Sequence, residues 1–158
     1  MEDIIPEMEK GELHVHLNGL VSSGLVKTLL ESNTIDMPQG FDLEKDLNVI
    51  KPANNLSSYL KPWDLLRFIP KSRADLILIV FDAFENLKKC NIGFVELRNS
   101  VLYIALLNKV NVDVAMAWLL EDIARASEYY SIKAGLILTV TRGDYSPEQL
   151  RSLLDAYV

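Results

Sequence analysis

The chain has 158 residues, of which 49% are hydrophobic and 24% are charged, a balance that suits one globular domain with a hydrophobic core. Its net charge of −6 and the lack of any lysine or arginine cluster argue against nucleic acid and anionic membrane as partners, because both select basic surfaces. The longest apolar run, residues 76–81, is far shorter than the roughly 20 residues that cross a bilayer.

The first residues and the cysteine content bear on the cellular compartment. Residues 1–6 are acidic and contain no basic segment followed by an apolar one, so they predict no secretory signal and a cytoplasmic location. Cys90 is the only cysteine, which excludes an internal disulfide bond and a cysteine-rich zinc module.

Three runs have the composition of β-strands, at residues 11–17, 92–98 and 134–140. The first run alternates and ends at Asn18-Gly19, a typical turn. About 75 residues separate the first run from the second, too many for one crossover helix, so a helical insertion is predicted there. Strands separated by helical segments are typical of βα units with a parallel sheet. We therefore expect an α/β fold that forms one domain over residues 1–158.

Three helix starts are marked by capping residues. Ser72 and Asn111 each precede a segment whose apolar residues recur at helical spacing. Ser146 is followed by a proline at the first helical position and by Gln149 three residues later. These patterns predict one helix before the second strand, one before the third strand and one after it.

The chain has two histidines, His14 and His16, both at the end of the first predicted strand. Residues two apart on a strand point to the same face, so the two imidazoles can converge on one metal ion. In a (β/α)₈ barrel this end of a strand lies at the mouth, where active sites are built. Because a His-x-His pattern alone is weakly specific, the alternative that both are ordinary strand residues stays open.

Three segments resemble the adenosine/AMP deaminase family. Residues 10–19, KGELHVHLNG, are similar to the family's opening motif, which usually has Asp at the position of Asn18. Residues 56–64, LSSYLKPWD, resemble a helix that carries two aromatic residues beside the substrate pocket. Residues 94–100, FVELRNS, resemble the second strand with its Glu-x-Arg pattern. The segments follow the family order, and the resemblance covers almost the whole chain.

The resemblance implies a TIM-type (β/α)₈ barrel that binds Zn²⁺ and deaminates adenosine or a related purine. It implies that His14 and His16 are two of the metal ligands, and that Asn18 stands where the family's Asp binds the nucleoside sugar. An amide there keeps an acceptor oxygen but loses the charge, which weakens such a bond by roughly half. Tyr59 and Trp63, four apart on one predicted helix, would cover the purine, although ordinary core packing explains them equally well.

This chain supplies only part of such a site. A catalytic zinc ion needs three protein ligands and an open position, and in the family the remaining ligands and the catalytic residues come from later strands. We therefore expect no catalytic residue in this chain. Three βα units out of eight predict an incomplete barrel with an exposed edge and an uncovered inner face. Further chain, a second chain or self-association could complete it.

The sequence favours the N-terminal segment of a zinc-dependent adenosine deaminase, which donates two metal ligands and part of the purine pocket and is inactive alone. The alternative is a truncated, non-catalytic deaminase-like interaction protein, with Asn18 as a sign of lost selection on substrate binding. A third reading, another barrel hydrolase, is disfavoured by the aromatic helix and the Glu-x-Arg strand. Charged residues of the first two strands are interpreted as a structural network low in the barrel; they are Glu12, Glu96 and Arg98.

Overall fold

Parallel pairing of three strands forms the centre of the molecule. The computed structural model describes residues 4–48 and 51–157. The first three residues of the N-terminal segment 1–6, on which the prediction of no secretory signal rests, lie outside the described residues. The strands β1 (Lys10–His16), β2 (Ile92–Asn99) and β3 (Lys133–Leu138) form one parallel sheet in the order β1-β2-β3. Each strand ends within two residues of its predicted bounds, and the α/β prediction is confirmed.

Helices connect the strands on one side of the sheet. The β1–β2 connection holds α1 (Ser23–Ser32), α2 (Leu43–Asp46), α3 (Leu56–Leu60), α4 (Trp63–Leu66) and α5 (Arg73–Lys89). The β2–β3 connection holds α6 (Val101–Asn108) and α7 (Val112–Tyr130), and α8 (Pro147–Tyr157) follows β3. The helical insertion between the first two strands is therefore confirmed. Within the described residues no single helix is long and apolar enough to span a membrane. Helices α6 and α7 have the required length and apolar character only when taken together, and they are bent by 114° relative to each other.

The three predicted helix starts are confirmed, because α5, α7 and α8 begin directly after Ser72, Asn111 and Ser146. The Ser72 hydroxyl accepts a hydrogen bond from the Asp75 N–H at 3.1 Å, which satisfies a free donor of α5. Ser146 and Gln149 form a reciprocal capping box, because the Ser146 N–H donates to the Gln149 side chain at 2.8 Å and the Gln149 N–H to the Ser146 hydroxyl at 3.3 Å. Asn111 occupies the N-cap position of α7 but makes no side-chain capping bond.

The hydrophobic core lies between the sheet and the helices. Val95 and Leu97 of β2 are buried on this side, and they share the core with fully buried residues of α5 and α7 such as Phe84 and Leu119. Burying one such side chain contributes roughly 1.5–3 kcal/mol to stability, so these contacts hold the helices to the sheet.

An ion pair ties α5 to α7 beside this core. Arg73 donates to the carboxylate of Asp122, whose side chain is 0% exposed, and to Glu121 at 3.1 Å. The other Asp122 oxygen has no hydrogen-bond partner, and Arg125 lies 4.0 Å from it. Burial raises the pKa of Asp122, and the Arg73 hydrogen bond and charge oppose this shift.

The opposite face of the sheet is open. Leu13 is 56% exposed and Phe94 is 45% exposed, and Glu96 on the same strand as Phe94 is exposed as well. In a closed barrel these positions would point into the interior. The fold therefore comprises three βα units of a (β/α)₈ barrel and is incomplete, and the predicted uncovered inner face is confirmed.

Candidate metal centre

The two histidines lie side by side at the carboxyl end of β1. Their ring centroids are 6.4 Å apart with the planes tilted by 50°, and both side chains are exposed. The strand is irregular here, because Glu12 pairs with Val95 and Val15 pairs with Leu97, so three steps on β1 match two steps on β2. A bulge of this kind re-aims side chains, and it was not visible in the sequence.

The surroundings of His16 favour its neutral form. His16 pairs with Arg98 across the sheet, and the Trp63 ring meets its imidazole edge-on with centroids 5.8 Å apart. Burial lowers the pKa of His16, and the neighbouring His14 and Arg98 lower it further. A neutral imidazole is the form that ligates a metal ion.

The donor chemistry of the pair fits zinc. Two imidazoles on one tetrahedral zinc ion, each with a Zn–N distance of about 2.0–2.1 Å, have ring centroids about 5 Å apart. The observed 6.4 Å exceeds this by an amount that rotation of two exposed side chains can close. Residues 4–48 and 51–157 contain no group of three or more His, Cys, Asp or Glu side chains that could hold a metal ion. The pair therefore provides part of a ligand set.

Asn18 lies two residues after His16 on a 3₁₀ turn, Leu17–Gly19, and is half-buried. Two residues of α5 fix the chain just beyond this turn. Asn86 donates to the Leu20 carbonyl at 2.8 Å, and Asp82 accepts from the Ser22 N–H at 2.6 Å and from its hydroxyl at 2.9 Å. Neither side chain was predicted from the sequence; their signal is a pair of polar residues four apart, which therefore share one face of α5.

The prediction that Tyr59 and Trp63 share one helix is wrong. Pro62 has no N–H to continue the hydrogen-bond ladder, so the segment divides into α3 and α4. Trp63 lies against His16 as described above, whereas Tyr59 is 54% exposed and makes no ring contact within the described part of the chain. Of the two predicted purine-covering residues, the structure brings only Trp63 to the histidines.

The predicted charge network of the first two strands is also absent from the described residues. Arg98 has a buried Nε atom without a hydrogen-bond partner, and Glu96 is exposed. Glu12 accepts from the His14 N–H at 3.0 Å on its own strand. The strand register explains the difference, because Glu12 pairs with Val95, which lies three residues before Arg98 on β2.

Three hydroxyl-bearing residues lie at the same end of the sheet, and of these only Ser100 belongs to a segment noted in the sequence, residues 94–100. Ser100, directly after β2, lies 3.1 Å from the hydroxyl of Tyr145, which follows β3. Tyr103, one turn into α6, donates to the carbonyl of Arg67 at the end of α4. They are scattered over the sequence, so no local pattern could have grouped them.

Comparison with known proteins identifies relatives over nearly the whole chain. The family model described as adenosine deaminase matches residues 9–157. An adenosine deaminase of Vibrio atlanticus (strain LGP32) is 26% identical over 152 residues, covering 94% of this chain and 45% of that protein. The chain thus spans less than half the length of the curated relatives it matches.

Solved structures show the same fold. An amidohydrolase from Burkholderia ambifaria with bound Zn has a TM-score of 0.75 at 18% identity, over 96% of this chain and 41% of that one. An Arabidopsis ADAL protein in complex with IMP has a TM-score of 0.66 at 20% identity, over 97% of this chain and 47% of that one. At such identities the likeness concerns the fold alone.

Proposed function

Because the chain belongs to the adenosine deaminase family and corresponds to its N-terminal part, we propose that it is the N-terminal segment of a zinc-dependent adenosine deaminase. The observation that carries the proposal is the pair His14 and His16 at the carboxyl end of β1, with Trp63 against His16. In this proposal the two histidines are metal ligands, Trp63 is a wall of the purine pocket, and the location is cytoplasmic.

Each side chain has a defined task in hydrolytic deamination. When bound, a zinc ion would supply Lewis acidity and would make water a better nucleophile near neutral pH. His14 and His16 hold the ion through neutral ring nitrogens, a state that the lowered pKa of His16 favours. Trp63 presents an apolar ring that excludes water from one side of the base. Asn18, held beside His16 by its turn, offers an amide to the sugar of a purine nucleoside.

The chain alone is proposed to be inactive. The remaining ligands and the group that moves protons would come from residues that complete the barrel, either further along the polypeptide or in a second chain. The exposed inner face supports such a completion because closing the barrel would remove the large apolar side chains Leu13 and Phe94 from water. A purine substrate is in keeping with the solved relative that holds IMP.

The test uses Trp63 as a reporter for the histidine pair. The chain has two tryptophans, so a Trp118→Phe background leaves Trp63 alone 5.8 Å from the His16 ring. Titration with Cu²⁺, which quenches nearby indoles, should quench Trp63, and Zn²⁺ should compete with the quenching. His14→Gln with His16→Gln is the matched control and should abolish both effects. Quenching that persists in this control would refute the assignment of the ligands.

A truncated, non-catalytic interaction protein remains the second candidate, because the same open inner face suits self-association. Native mass spectrometry with zinc analysis separates the two. A complex with a second polypeptide and one zinc ion supports the enzyme segment. A homo-oligomer of the 17.9 kDa chain without stoichiometric zinc supports the interaction protein.

A further inference from the structure

Helix α4 carries Trp63 to the histidine pair, yet it has only four residues. A helix of this length is not stable by its own hydrogen bonds. Burial of Leu65, Leu66 and Ile69 fixes its depth in the core. The packing of these side chains restricts the orientation of the helix, and directional hydrogen bonds restrict it further.

Directional contacts to this segment come from α6. The Tyr103 hydroxyl donates to the Arg67 carbonyl, and the Asn108 side chain donates to the Pro70 carbonyl at 3.1 Å. Arg67 is the C-cap residue of α4, and its N–H donates to the Trp63 carbonyl at 3.2 Å. A short series of hydrogen bonds therefore runs from Tyr103 through Arg67 to Trp63, whose ring touches His16.

Tyr103 is itself held in place. The Ser100 hydroxyl accepts from the Tyr103 N–H at 3.3 Å and meets the Tyr145 hydroxyl at 3.1 Å. Burial raises the pKa of Tyr103, and the neighbouring Tyr145 raises it further, so the phenol keeps its proton. The donor to Arg67 is present at every physiological pH.

We propose that Tyr103 is a positioning residue that holds Trp63 at the purine side of His16 by fixing the end of α4. This assignment rests on the proposed function for its biological meaning, but the geometry it describes can be measured without zinc or substrate. Ser100, directly after β2, and Tyr145, in the loop after β3, support it, so hydrogen bonds at the rim of the site join all three βα units.

The test is Tyr103→Phe in the Trp118→Phe background. Removing one hydrogen bond should raise the population with a detached α4 end by about fivefold, so hydrogen exchange at the Arg67 amide should speed up by that factor. Acrylamide quenching of Trp63 should increase in the same variant. Tyr129→Phe, which removes a hydroxyl from a tyrosine 74% exposed on α7, is the matched control and should change neither readout.

Two further variants keep the proposal open to refutation. Placing 4-aminophenylalanine at position 103 retains a donor at the same site and should restore both readouts. If Tyr103→Phe does not fold, Asn108→Ala releases the same segment at Pro70 and should accelerate exchange at Arg67 to a smaller extent. Faster exchange at Arg67 with unchanged Trp63 quenching would overturn the positioning role, as would no change in either. If these readouts change as expected but the chain with Trp63 as its only tryptophan binds neither Cu²⁺ nor Zn²⁺, the positioning role stands and the proposed function is refuted.

Discussion

Removing Arg73 should destabilise the fold strongly, because its partner Asp122 is fully buried. Loss of one partner of a buried ion pair typically costs about 3–5 kcal/mol, since the remaining charge is left uncompensated. The Arg73 side chain is 26% exposed and Arg125 stays 4.0 Å from Asp122, so the lower end of that range applies. We expect Arg73→Met to lower the free energy of unfolding by about 3 kcal/mol at pH 7.

The pH dependence of this loss has a definite sign. Burial already raises the pKa of Asp122 above its ordinary value of 3.8, and removal of Arg73 raises it further. A carboxyl whose pKa is raised by folding costs stability above its unfolded-state pKa, and the cost disappears as the pH falls towards that value. The difference between wild type and Arg73→Met should therefore be smaller at pH 4 than at pH 7.

Urea unfolding at the two pH values measures both effects. The matched variant is Arg73→Met with Asp122→Leu, in which the stranded charge is also removed. It should recover a large part of the loss, because an apolar pair of similar shape has no desolvation cost. A loss below about 1 kcal/mol for Arg73→Met, or a double variant as unstable as the single one, would show that Asp122 is not the buried charge described above.

Two further predictions concern the chain next to the histidines. Asn18→Asp should raise the pKa of His16 in an NMR titration, because a nearby negative charge favours the imidazolium. Asn18→Ser serves as the uncharged control. An unchanged pKa of His16 in Asn18→Asp would mean that the two side chains do not face each other. Asp82→Ala should lower the free energy of unfolding by about 2 kcal/mol in a denaturant titration, because it removes the acceptor of both hydrogen bonds from Ser22. Ser22→Ala keeps the bond from the backbone N–H and should therefore lower the free energy of unfolding by less.

Features set by local chemistry could be predicted from the sequence. The three strands, the caps at Ser72 and Ser146 and the position of the His14 and His16 pair each depend on residues close together in the chain. Their signals are alternation, capping patterns and the spacing of two residues along a strand. The same local reasoning failed at Tyr59, because the aromatic spacing was read without the missing N–H of Pro62.

Features set by contacts between distant segments could not be predicted. The bulge between Glu12 and Val15 exists only in relation to the register of β2, and a single strand carries no sign of it. The bond from Tyr103 to Arg67 joins residues 36 positions apart, and the Ser100–Tyr145 pair joins residues 45 apart. Such pairs become visible only when the fold has brought the ends of β2 and β3 together.

The open inner face has a consequence for the order of folding. The helix-side core is made by residues of these three βα units, so it can form before the inner face is covered. A polypeptide leaving the ribosome can complete this outer layer while Leu13 and Phe94 still face water. During that interval the edges of β1 and β3, which pair with no other strand of the described residues, are open to pairing with other chains. In the proposed completed barrel, chaperone demand should thus be highest after the third unit has folded and before the inner face is covered.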